Sequence, residues 1–124
     1  HYIEMVKQRA YGINFSNDEK LSAWFTLHTC LKNSLLFLSP IIPFVTDKIW
    51  TELYSKNSIH VEKFPKLSYN YYEQSTSERI TSLNSEIWNI KKSRQLSLRS
   101  PIDYTIPDDL SVFESDLKAM HKIQ

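Results

Sequence analysis

A single glycine, Gly12, occurs in the 124 residues. Phosphate-cradling loops and dinucleotide fingerprints need several glycines where the backbone approaches a ligand closely, so nucleotide-fold chemistry is excluded. A single cysteine, Cys30, excludes an internal disulfide framework and a multi-cysteine zinc cluster, and points to a reducing, cytoplasmic setting. Charge of one sign is also scarce: fifteen Lys and Arg against fourteen Asp and Glu leave a net charge of +1. Bulk electrostatics thus gives no case for a polyanionic partner, and any such case must rest on local clustering. The longest apolar run, residues 35–45, is interrupted by Ser39, Pro40 and Pro43. It falls short of the roughly 20 residues a membrane span requires, so no membrane partner is expected. What the chain does have is 41% hydrophobic and 13% aromatic content, enough for one domain with a modest core.

The apolar spacing is mostly helical. Tyr2, Ile3, Val6, Ala10 and Ile13 fall near one face of an opening helix that no capping residue precedes, as in a piece cut from something longer. Gly12 can end that helix in a left-handed turn, and Ser16 with Glu19 has the capping-box spacing that starts the next. Leu21, Trp24, Phe25, His28, Leu31, Leu35 and Leu38 then recur at intervals of three and four, predicting a buried stripe about five turns long. Pro40 stops this helix. Ile41, Ile42 and Phe44 are expected in the core at an irregular corner, and Thr46 is expected to cap a third helix carrying Ile49, Trp50 and Leu53. Ile59 and Val61 suggest an extended segment closed by Pro65, after which residues 66–77, with Tyr69, Tyr71 and Tyr72, read as a loop entering a helix near Glu73.

Ile80, Leu83, Ile87 and Ile90 predict a long fourth helix whose polar side turns basic at its end. Ile102, Tyr104 and Ile106 alternate as in a short strand, and Asp108 and Asp109 can cap a final helix through Leu110, Phe113, Leu117 and Met120. The expected fold is therefore mainly α, a helical bundle with a small C-terminal strand-helix extension. Residues 1–66 hold its core helices and extended segment, and residues 67–124 the loop, the long basic helix, the short strand and the final helix of the same domain.

Catalytic apparatus is missing from the pattern. His1, His28, His60 and His121 form no ligand motif, so no metal is expected. Cys30 lies inside an amphipathic pattern and reads as buried packing rather than a nucleophile, and the paired carboxylates sit at helix starts, where capping explains them. The densest basic group is Lys91, Lys92, Arg94 and Arg99. Four such charges beside an extended segment can track a phosphate backbone, or they can be a solvated helix end.

Three stretches in order resemble the anticodon-binding domain of the class I aminoacyl-tRNA synthetases for valine, isoleucine and leucine: "YIEMVKQRAY", "LSPIIPFVTDKIW" and "SIHVEKFP". The middle one is the specific motif, with Ser39 and Asp47 where the family usually has alanine and glutamate. "IKKSRQLSLRSPI" and "FESDLKAMHKI" are most similar to valyl enzymes of the archaeal type. The resemblance implies a helical anticodon-binding bundle whose partner is tRNA, by its anticodon stem-loop and for the valyl type tRNA(Val). It also implies a parent ligase that uses ATP with magnesium in a catalytic domain absent from this chain. No catalytic or cofactor-binding residue is expected here. Charge and placement make Lys7 and Arg9 on the first helix, and Lys91, Lys92, Arg94 and Arg99 on the later one, the expected RNA contacts, while Pro40, Pro43, Phe44 and Trp50 are assigned to the core. The helices that precede Tyr2 in the family are missing, which implies weak binding by the piece alone. The same domain of an isoleucyl or leucyl enzyme, or a helical protein-interaction module, remains open at this point.

Overall fold

The structure, a computed structural model, describes residues 2–66 and 74–124. In chain order these form helices α1 (Tyr2–Tyr11), α2 (Asn17–Leu38), α3 (Pro43–Leu53), α4 (Gln74–Ser93) and α5 (Glu114–His121), with short 3-10 turns at Ile59–Val61 and Asp108–Phe113. The expected loop with its tyrosines at 69, 71 and 72, and the helix entry at Glu73, lie outside the described residues. The chain divides into two compact units, His1–Leu21 with Asn70–Gln124, and Ser22–Tyr69.

In the first unit α1 packs on α5. Met5 and Val6 of α1, Leu83 and Ile87 of α4, and Ile102, Leu110, Leu117 and Ile123 are buried. Helix α1 ends as expected: Gly12 takes φ +71, its amide bonds the Arg9 carbonyl, and the Ile13 amide reaches back to Gln8 at 3.0 Å. The same closure recurs where the sequence offers no glycine. Gln95 at φ 55 follows α4, with Leu96 N donating to Lys91 O, and Lys122 at φ 55 follows α5, with Ile123 N donating to Lys118 O. The capping box forms as expected, the Ser16 amide donating to Glu19 Oε2 at 2.8 Å and the Glu19 amide to Ser16 Oγ at 3.3 Å.

The expected strand over 102–106 does not form. Ile102 makes one isolated parallel bridge with Ile123, through Ile102 N to Lys122 O and Gln124 N to Ile102 O. Alternation alone builds no strand without a neighbour to pair with along its length, and here the pairing is confined to Ile102.

In the second unit Leu35, Leu36, Trp50 and Ile59 form the core, with Ile49 and Tyr54 packed against it. Helix α3 begins earlier than expected. Pro43, with its fixed φ, stands in the first turn after the N-cap Ile42, which places Thr46 inside the helix with its hydroxyl donating to the Ile42 and Pro43 carbonyls, both at 3.0 Å. Thr46 and Trp50, four residues apart, share the buried face. Phe44, six residues before Trp50, falls about a third of a turn away and is 89% exposed, and Ile41 is 73% exposed. Of the residues assigned to the core at this corner, only Trp50 is fully buried; Pro43 is half-buried and Pro40 exposed.

The expected stripe of α2 is corrected in the same way. Leu35 is buried, but Leu21, Trp24, Phe25, Leu31 and Leu38 are exposed, as are His28 and Cys30. Among the described residues of this unit the core cluster takes Leu35 and Leu36 from the C-terminal turns of α2, while upstream the buried residue is Ala23, which lies outside the stripe. The segment after α3 is also a turn rather than extended. Asp47 Oδ1 accepts from Ser58 Oγ at 2.7 Å and from the Ile59 amide at 2.8 Å, folding residues 58–61 onto α3.

Candidate nucleic-acid interface

All six expected contact residues belong to the first unit, and the structure separates them sharply. Arg9 is engaged inside the protein: Nε and a terminal nitrogen donate to the two oxygens of Asp116 at 2.8 and 2.6 Å, and its guanidinium lies 5.0 Å from the Phe15 ring centroid. The hydrogen bond to Asp116 holds its proton more tightly than usual. Arg9 thus fastens α1 to α5, together with Gln8 Nε2 donating to the Ala119 carbonyl at 3.3 Å. Lys7 is exposed and lies 3.7 Å from Glu4, a pair one turn apart that is easily surrendered.

Lys91 corrects the sequence reading most. It is 0% exposed, and its ammonium donates to the carbonyls of Leu98 at 3.0 Å, Ser100 at 2.8 Å and His121 at 2.6 Å. Counting by fours along α4 gives Leu83, Ile87 and Lys91, so this lysine continues the core face rather than the polar one. Burial, and then the nearby charge of Lys122, push its pKa down. Beside it His121 is buried, with Nε2 2.7 Å from Asn84 Oδ1 and its ring edge-on to Trp88. Burial first and the Lys91 charge second lower the His121 pKa to about 4, so the imidazole is neutral near pH 7.

Lys92, Arg94 and Arg99 are exposed. The three carbonyls around Lys91 define where they sit: Arg99 lies between Leu98 and Ser100, and Lys122 directly follows His121. The end of α4, the 97–100 loop and the turn after α5 therefore meet at one ammonium, and they bring Lys92, Arg94, Arg99 and Lys122 to one end of the unit. Lys122 was missed from sequence, because its place depends on a left-handed turn that no glycine announces. The geometry offers cations that could meet a phosphate backbone. Among the described residues no group of three His, Cys, Asp or Glu side chains could hold a metal ion, and no helix is long and apolar enough to cross a membrane.

Known proteins match this chain along nearly all its length. It is 37% identical over 131 residues to valine-tRNA ligase of Aeropyrum pernix, an alignment covering 98% of the chain and 16% of that protein. It is 40% identical over 129 residues to valine-tRNA ligase of Pyrobaculum aerophilum, covering 99% of the chain and 16% of the relative. The valine-tRNA ligase of Ehrlichia canis is 37% identical over 130 residues, with 97% and 16% covered. The chain thus spans about a sixth of the length of these relatives. No solved structure matches it. The family described as the anticodon-binding domain of tRNA ligase matches residues 1–106, and the chain belongs to that family.

Proposed function

We propose that this chain is the anticodon-binding domain of a valine-tRNA ligase, and that it holds the anticodon stem-loop of tRNA(Val) against the basic end of α4. The observation that carries the reading is the alignment of 98% of the chain with a valine-tRNA ligase at 37% identity. The exposed cluster of Lys92, Arg94, Arg99 and Lys122 supports it, since phosphate contacts fix the register of a nucleic acid and need cations at the surface. Lys7 is a further contact on α1. Arg9 and Lys91, bound within the protein, are not. In this reading the parent enzyme works in the cytoplasm, and joining valine to its tRNA with ATP and magnesium belongs to a catalytic domain elsewhere in the same polypeptide. The apolar residues left at the surface of the second unit, Phe25, Ile41 and Phe44 among them, fit a domain that works inside that larger protein.

Fluorescence anisotropy at low salt tests the proposal, comparing a valine anticodon hairpin with the same hairpin after its two shared anticodon bases are replaced. The expected result is tighter binding to the valine loop, lost in the Lys92→Ala/Arg94→Ala/Arg99→Ala triple variant. The triple variant should also lower the slope of log affinity against log salt by about 3, one for each cation removed. Equal binding to both loops would remove the anticodon reading and favour a basic module that meets some other acidic partner.

A further inference from the structure

We infer that Lys91 is the positioning residue of the basic surface: its buried ammonium holds the Arg99 loop and the Lys122 turn on the end of α4, and so controls RNA binding without touching RNA. The inference rests on the reading that this end of the unit binds an anticodon arm.

An ammonium has three protons in tetrahedral array, and each finds one carbonyl here, at Leu98, Ser100 and His121. Two of these acceptors come from the loop that carries Arg99. The third lies in the last turn of α5, where the carbonyls have no partner within the helix. The loop's other bonds are local, Ser100 N to Ser97 O at 2.9 Å and Arg99 N to Ser97 Oγ at 3.3 Å, and neither ties it to α4. Lys91 supplies that tie. A buried charge with all its donors satisfied tolerates little displacement, because any shift leaves a proton unpaired in a low-dielectric site. Arg99 and Lys122, each next to an acceptor of this ammonium, inherit that constraint. A guanidinium cannot replace it, since its donors lie in one plane on a longer stem.

Substitution by arginine therefore separates the two roles open to Lys91. A residue that contacts phosphate accepts Lys91→Arg, whereas a three-carbonyl socket does not. The test is carried out on the purified 124-residue chain with the valine anticodon hairpin. In the unaltered protein, reductive methylation with formaldehyde and borohydride should modify Lys92 and Lys122 and spare Lys91. Lys91→Arg and Lys91→Met should each weaken hairpin binding by about as much as Arg99→Ala/Lys122→Ala, roughly fivefold to tenfold for each lost contact at low salt. Lys91→Met/Arg99→Ala/Lys122→Ala should then bind no worse than Arg99→Ala/Lys122→Ala, as expected for a residue that acts only through those two contacts.

Methylation of Lys91 at the rate of Lys92 would overturn the inference without any variant needing to fold. So would wild-type affinity in Lys91→Arg, or a further loss when Lys91→Met is added to Arg99→Ala/Lys122→Ala, either of which removes the positioning role. If instead the Lys92/Arg94/Arg99 triple variant binds like the unaltered chain, the RNA-binding surface itself is wrong and the role of Lys91 in binding falls with it. Loss in the triple variant with additivity at Lys91 would remove only the positioning role.

Discussion

In the unit formed by α1, α4 and α5, Asn84, Lys91, Asp116 and His121 are buried and bond across 30 to 107 residues of chain. Among the described residues of the unit from Ser22 to Tyr69 the buried polar side chains Ser39 and Thr46 bond to carbonyls three or four residues back, and the core cluster is Leu35, Leu36, Trp50 and Ile59. Hydrogen bonds are directional and apolar contacts are not, so the first unit has its geometry specified by pins and the second mainly by one large side chain. The candidate cations sit on the pinned unit. A surface that must match phosphates gains from a scaffold whose loops are held at named atoms, while a scaffold with much apolar surface needs only to be covered.

The sharpest way to break this comparison is Trp50→Ala, which should cost about 3–5 kcal/mol in denaturant unfolding, since the indole is the largest member of so small a core. A stably folded Trp50→Ala would show that the second unit does not depend on it. Next comes pH. His121 titrates at about 4 rather than its ordinary 6.5, so between those values the unfolded chain binds a proton that the folded chain refuses. Its contribution is complete above pH 6.5 and is lost as pH falls toward 4, by about 3 kcal/mol in all, and thermal melts across that window should lose this slope in His121→Gln. Asp116→Ala should cost about 2 kcal/mol, because it strands a half-buried Arg9, and hydrogen exchange should show α1 opening first. The smallest effect has the opposite sign. Gln95→Gly should stabilise by about 0.5–1 kcal/mol in the same melts, because a side chain at φ 55 is strained where glycine is not.

What could be read from sequence was local. Gly12, the Ser16–Glu19 box and the proline stops act within a few residues, so their outcome is written beside them. The faces of the helices were harder, because a stripe says which side can be buried and not whether a partner arrives. Phe25, at 75% exposed, and Leu35, buried, sit in one periodic pattern on α2 and meet different fates. Lys91 was misread for a related reason. Its charge groups it with Lys92 and Arg94, while its spacing of four from Ile87 puts it on the core face. Periodicity outranked charge there, because two carbonyls of the following loop and one from the end of α5 accept its three protons. Sequence spacing thus separates the exposed Lys92, Arg94 and Arg99 from the buried Lys91 only when periodicity is weighed beside charge.

The carboxylate of Asp47 has a consequence for how this chain tolerates change. By accepting from Ser58 Oγ and Ile59 N it closes a ring across eleven residues, half of it the rigid turns of α3. Residues 54–57 are then a bridge fixed at both ends. Such a bridge can be lengthened at little entropic cost, about 0.6 kcal/mol for each doubling. Insertions between Tyr54 and Asn57 should be the variation this unit accepts most readily, whereas a change at Asp47 or Ser58 would release the bridge from its second pier.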